Sequence, residues 1–120
     1  DTGYHKDHED LPKTATGTTL DDFGDWFTDG NGHGTHCAGT VGAIGNNDKG
    51  VIGVIPDIDS GISIKLHIAK GLGANGSGST TTVINAVNAC LDAAQENNKK
   101  LVISLSLGGG YSGMADSVYQ

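Results

Sequence analysis

The stretch Asn31-Gly-His-Gly-Thr-His-Cys-Ala-Gly-Thr-Val-Gly-Ala43 decides how the chain is read. It predicts a helix that begins at His33 and runs to about Ile44. A glycine on either side of the histidine lets the backbone turn sharply into that helix, because glycine has no Cβ to clash. Beyond it, Thr35, Ala38, Gly39, Thr40, Gly42 and Ala43 carry little side-chain bulk, so such a helix packs very close to a neighbouring sheet. An imidazole at the N-terminus of a buried helix sits at the positive end of its dipole, which disfavours a second proton. A neutral ring is what a general base needs. Alone, the pattern equally describes a capped helix with a surface histidine, so the decision passes to residues elsewhere.

Composition narrows the field. A chain of 120 residues suffices for one domain with one core. With 36% hydrophobic and 18% charged residues it reads as globular rather than disordered. The net charge of -7 argues against nucleic acid as a partner, since phosphate binding needs a basic face. Much of the acid precedes His33, at Asp7, Glu9, Asp10, Asp21, Asp22, Asp25 and Asp29. That cluster reads either as a solvated loop or as an attractor of cations, metal or basic substrate. Two cysteines, Cys37 and Cys90, are too few for a disulfide framework. Cys37 is expected to be a buried free thiol and Cys90 to lie on the apolar stripe of a helix. No apolar run approaches membrane-spanning length, which leaves the membrane out as a partner. No signal-peptide pattern is present in this chain, which starts with Asp.

In chain order, residues 1–31 read as an irregular, acidic, Gly- and Thr-rich segment that serves a site, anchored to the body by Phe23, Trp26 and Phe27. Gly45 to Gly50 is a loop by composition, Val51 to Ile55 a short extended piece ending at Pro56, and 57–61 a turn. Ile62, Ile64, Leu66 and Ile68 alternate over Gly61 to Ala69, which predicts a strand. Gly71 to Ser79 is a glycine loop, and Ser79 or a following Thr caps the next helix. Val83, Ile84, Val87, Cys90, Leu91 and Ala94 mark that helix's buried face, and Glu96 to Lys100 end it. Leu101 to Leu107 predicts a second strand, stopped by Gly108-Gly-Gly110. From Tyr111 the tail has a further helix near Met114 to Tyr119. Strand, helix, strand over 62–107 makes a βαβ unit, hence an α/β fold with a parallel sheet. In such sheets the chemistry lies beyond the carboxyl ends of the strands.

Three landmarks then come together. Asp1-Thr-Gly3, Asn31-Gly-His-Gly-Thr-His-Cys-Ala-Gly39 and Ser104-Leu-Ser-Leu-Gly-Gly109 resemble those of the subtilisin-like serine proteases, in the family's order and near its spacing. Gly50-Val-Ile-Gly-Val54 with Pro56, and Leu72-Gly-Ala-Asn-Gly-Ser-Gly78, are similar too. The resemblance covers nearly the whole chain and implies a three-layer parallel-sheet fold, seen here as a partial catalytic domain. It implies catalytic roles for Asp1 and His33, with Asp1 holding Nδ1 of the ring. It implies a substrate cleft between Gly76, Ser77 and Gly78 on one side and Ser106, Leu107 and Gly108 on the other, with polypeptides as substrates. It implies a structural calcium held by Asp10, Ile44, Asn47 and Val51, no organic cofactor, an inhibitory prodomain and secretion. Cys37 resembles the thiol-bearing, proteinase K-like branch of the family.

Other readings compete. Gly71-Leu-Gly-Ala-Asn-Gly76 fits a dinucleotide-binding G-x-G-x-x-G motif, with Glu96 about 20 residues on. His33-x-x-His36 and His5-x-x-His8 are short histidine pairs, although helical zinc ligands prefer a spacing of i and i+4. A non-catalytic, peptide-binding relative of the same fold is a third possibility. No Gly-Thr-Ser-Met-Ala type nucleophile run occurs in residues 1–120, so these residues by themselves are expected to be inactive and to expose sheet edges.

Overall fold

The computed structural model describes residues 1–110 and 112–119. Strand β1 (Thr16–Thr18) pairs in parallel with β2 (His67–Ala69), with Thr16 opposite His67 and Thr18 opposite Ala69. Helix α1 (His33–Gly42) lies between them in the chain, and α2 (Thr80–Glu96) follows β2. A short helix α3 (Gly113–Tyr119) sits where a tail helix is expected; Tyr111 lies outside the described residues.

The Thr-Gly-Thr sequence of β1 carries no apolar alternation, and its reasons for pairing lie elsewhere in the chain. The Thr16 hydroxyl meets His67 Nδ1 at 2.8 Å and the Thr18 hydroxyl meets Nε2 at 2.9 Å, so one imidazole grips both ends of the strand. Burial pushes the His67 pKa below its ordinary value. Gly17 lies beneath the Trp26 indole, where a Cβ would collide with the ring. Trp26 in turn packs on the core of Tyr4, Leu11, Ala38 and Ala43. Of the other expected anchors, Phe23 covers Gly73, while Phe27 is 41% exposed and meets Trp26 edge-on.

Helix α1 stops at Gly42, two residues short of the expected Ile44. Its last turn is closed by Ala43 N–H donating to Gly39 O, and Gly53, Val54 and Ile55 then donate to Ala43, Thr40 and Val41. The expected extended piece 51–55 therefore straps the helix end without joining a sheet. Residues 58–60 form a single 3₁₀ turn. Helix α2 begins with a capping box: the Ser79 hydroxyl accepts from Thr82 N–H, and Thr82 Oγ1 accepts from Ser79 N–H. Its buried face is Ile84, Ala86, Val87 and Ala89, with Ala86 and Ala89 against Ala69 of β2. Leu91, expected on that face, is 40% exposed.

Two strand expectations are corrected. Only His67–Ala69 of the predicted 61–69 strand is paired, because Thr16 to Thr18 is the sole partner within reach among the described residues. Leu101 to Leu107 forms no strand at all. A cleft of about 640 Å³ lies between Ser63 to Ala69 on one side and Lys99 to Leu105 on the other, and among the described residues no ladder joins the two segments. Val102 is 95% exposed, and Leu105 and Leu107 are open to solvent as well. Strand propensity needs a backbone partner to become a strand. Removal of the α2 cap by Ser79→Ala is expected to cost about 0.5–2 kcal/mol of stability, read as a lower midpoint in urea unfolding followed by helical circular dichroism.

Candidate active site

The segment Asp1–Gly3 is pinned just past the carboxyl end of β2. The Asp1 nitrogen donates to Ala69 O at 3.0 Å, and Asp1 O accepts from Gly71 N–H and Leu72 N–H at 3.0 and 3.1 Å. This is the end of a parallel sheet where chemistry collects. The Asp1 carboxylate accepts from Thr2 N–H at 2.7 Å and lies 2.8 Å from His33 Nδ1. An ionised carboxylate only accepts, so the Nδ1 nitrogen carries the proton and Nε2 is left as the basic atom. The His33 side chain is 47% exposed and the Asp1 side chain 21%, which puts the ring at the surface and the acid behind it.

Close approach makes this pairing possible. Gly34 is buried against the Asp1–Gly3 backbone: a Cβ there would run into Gly3 O and lie 3.0 Å from Thr2 N. The entry to α1 turns through Gly32 at φ 97°, the left-handed conformation that the glycine-rich sequence predicts. No side chain caps the helix from the N-cap position itself. Asp29 does so from further back, accepting from Asn31 N–H, Gly32 N–H and Thr35 N–H at 3.1, 2.9 and 2.9 Å. It also accepts from the Thr35 and Thr2 hydroxyls. Burial pushes the Asp29 pKa up, but these donors outweigh it and hold the carboxyl well below the usual carboxylate range. In the sequence Asp29 belongs to an acidic cluster that reads either as a solvated loop or as an attractor of cations; the available signal for its capping role is an Asp just ahead of a helix whose third residue is Thr35.

Asn31 joins the helix to the glycine loop. Its amide oxygen accepts from His33 N–H at 3.2 Å and its nitrogen donates to Ala74 O at 2.9 Å. A second cleft of about 660 Å³ then opens beside His33, walled by Gly76, Ser77 and Gly78 and by Ser106, Leu107 and Gly108. All the expected cleft residues thus face one space with the imidazole. The glycine loop is not built for a dinucleotide: Gly71 N–H is taken by Asp1 O, and α2 starts only at Thr80.

Asp10, Ile44, Asn47 and Val51 also come together. Asp10 is 3% exposed; its carboxylate accepts from the Asn47 amide at 2.7 Å and Val51 N–H at 2.8 Å, and its carbonyl accepts from Ile44 N–H. Those donors, Asn47 first, lower the Asp10 pKa. Cys37 and Cys90 are both free thiols. Cys37 is half-buried rather than buried, because α1 turns it toward the dyad, with Sγ 3.9 Å from both ring nitrogens of His33. Among the described residues, Asp1, His33 and Cys37 form the one cluster of three metal-ligating side chains; neither His5, His8 nor His36 belongs to it.

The Subtilase family model matches residues 1–120, so the chain belongs to the subtilase family. It is 38% identical to thermitase of Thermoactinomyces vulgaris over 98% of this chain and 39% of that protein. It is 41% identical to an intracellular serine protease of Paenibacillus polymyxa over 91% of this chain and 31% of that protein. The solved psychrophilic subtilisin-like protease Apa1 of Pseudoalteromonas sp. AS-11 superposes with a TM-score of 0.75 at 34% identity, covering 98% of this chain and 26% of that one. The fold is therefore a subtilisin-like α/β fold, and the chain spans about a third of the length of the curated relatives it matches. Gly34→Ala is expected to cost about 1–3 kcal/mol by overpacking, read as a lower Tm, and to lengthen the Asp1–His33 separation in a crystal structure of the variant.

Proposed function

We propose that this chain supplies two members of the catalytic triad of a serine endopeptidase, Asp1 and His33, together with the cleft that holds the substrate backbone. The observation that carries the reading is the 2.8 Å contact between Asp1 and His33 Nδ1, at the mouth of a cleft with glycine on both walls. An extended peptide lies between 76–78 and 106–108 as an added strand, and the missing Cβ atoms let its backbone come close. His33 Nε2 takes the proton of a serine supplied from beyond residue 120, and the serine oxygen attacks the scissile carbonyl. The ring returns the proton to the leaving amine, giving an acyl-enzyme that water then opens. Asp1 fixes the tautomer and stabilises the imidazolium. Polypeptide substrates, secretion and an inhibitory prodomain belong to the same reading, on family likeness. Among the described residues, no helix is long and apolar enough to cross a membrane.

A structural calcium is part of the proposal. The donor set suits a hard cation: a carboxylate from Asp10, an amide oxygen from Asn47 and the carbonyls of Ile44 and Val51. Gly50, at φ 48°, backs directly onto the Asp10 carboxylate, and a Cβ there would collide with it. The Asn47 amide presents its nitrogen to Asp10, and a rotation of that group brings its oxygen to the same side. Asp10 and the 44–51 loop would hold the ion, which would supply a positive charge beside the Asp10 carboxylate.

In the full-length protein, cleavage of a peptide substrate is expected to be abolished by a serine-directed inhibitor, and Asp1→Asn is expected to lower kcat by about 10⁴. Residues 1–120 alone are expected to show no cleavage, and inhibitor-sensitive activity from them would overturn the assignment. Calcium in excess is expected to raise the Tm of the full-length protein, chelator to reverse the rise, and Asp10→Asn to remove the response.

A further inference from the structure

The Asp29 carboxylate reaches both partners of the dyad without touching either. On one side it takes the hydroxyl of Thr2, the residue next to Asp1, at 2.8 Å. That same hydroxyl accepts from Gly34 N–H at 2.8 Å, so Thr2 is held between the acid and the helix that carries His33. Thr2 is fully buried, and its hydroxyl has both partners in place. On the other side Asp29 takes the N–H of Gly32, the residue next to His33, and both the N–H and hydroxyl of Thr35 on the first turn of α1. The Thr35 hydroxyl accepts in turn from His5 N–H at 3.0 Å, which ties the stretch after Gly3 to the same point. The carbonyl just before Asp29, that of Thr28, receives the Nζ of the buried Lys70 at 2.8 Å. Lys70 follows directly on β2, so the sheet end itself fixes where Asp29 stands.

We propose that Asp29 is a positioning residue that sets the separation and angle of Asp1 and His33 by clamping Thr2 and the α1 entry onto one carboxylate. The inference rests on the triad reading given above. A carboxylate is required because all five groups facing it are donors. An amide offers one accepting oxygen, and its NH₂ would oppose the Thr35 or Gly32 N–H. Neither oxygen of Asp29 borders the substrate cleft, so the residue acts on the turnover step rather than on binding. A displacement of about 1 Å in such an arrangement costs roughly 100-fold in rate.

The test uses the full-length protein and three variants. Asp29→Asn is expected to lower kcat by about 10–100-fold with KM little changed, and to move the acid limb of the kcat/KM pH profile, while Asp29→Glu restores part of the loss. Asp59→Asn is the control. Asp59 is a loop carboxylate of the same chemistry that accepts from Lys13 N–H, Thr14 N–H and the Thr14 hydroxyl, away from the cleft. It is expected to lose stability without losing kcat. A second readout needs no turnover: the low-field proton resonance of the His33 Nδ1–H···Asp1 bond is expected to shift or vanish in Asp29→Asn and to persist in Asp59→Asn. Should Asp29→Asn fail to fold, Thr35→Val removes one clamp donor and is expected to shift the same resonance. An unshifted resonance, or equal kcat losses in the Asp29 and Asp59 variants, would overturn the proposal. A wild-type protein that cleaves nothing, yet shows the resonance and its dependence on Asp29, would instead count against the protease reading alone.

Discussion

Helix α1 touches the Asp1–Gly3 segment only because residue 34 has no side chain. A Cβ on Gly34 would run into the Gly3 carbonyl and the Thr2 and Gly3 nitrogens, so there is no room for a methyl group. Everything at the site follows from that contact. It lets Gly34 N–H reach the Thr2 hydroxyl, brings the first turn of the helix beside Asp1, and leaves the His33 ring facing outward with its Nδ1 turned in. The small residues Ala38, Gly39 and Gly42 continue the same close approach down the helix toward Leu11 and Ile58. A helix of ordinary bulk would stand further off, and the acid and the imidazole would not meet.

The electrostatics around this contact divide the acidic segment into two kinds of residue. Asp29 and Asp10 are drawn inside and surrounded by N–H and O–H donors, and both are held below the usual carboxylate range. The sign of the linkage is the usual one for a depressed acid. Such groups stabilise the fold above the pKa of the unfolded carboxyl, and that contribution is lost as pH falls toward the folded value. Asp21, Asp22 and Asp25 are exposed and solvated. The same residue type thus serves as a structural clamp in one place and as surface charge in another, according to how many donors the backbone turns toward it.

What could be read from the amino acids alone was whatever depends on short separations. The α1 and α2 helices, the Ser79 cap and the glycine turn at Gly32 are local properties, and each appears close to where it is expected. The meeting of Asp1 with His33, and of the 76–78 and 106–108 walls, was legible through a motif pattern rather than through periodicity. Strand pairing was the weak point. Leu101 to Leu107 has the composition of a strand but faces a cleft, while Thr16 to Thr18 looks irregular yet pairs because an imidazole fifty residues away grips its hydroxyls. The clamping role of Asp29, named only as one of an acidic cluster, was not legible because three of its five donors are main-chain groups, which leave no mark in composition.

The anchoring of Asp1 to Ala69, Gly71 and Leu72 carries a kinetic consequence. The Asp1–Ala69 contact spans 68 residues, and the β1–β2 ladder, with Thr16 opposite His67, closes a shorter loop of 51. Loop-closure entropy has to be spent before such distant contacts return any stability, so chains that rely on them fold slowly. Helices α1 and α2 can form early from their own sequences, but the acid and the imidazole take up their mutual geometry only when the chain has come back on itself through residue 72. The dyad geometry therefore depends on long-range closure of the chain rather than on local structure alone.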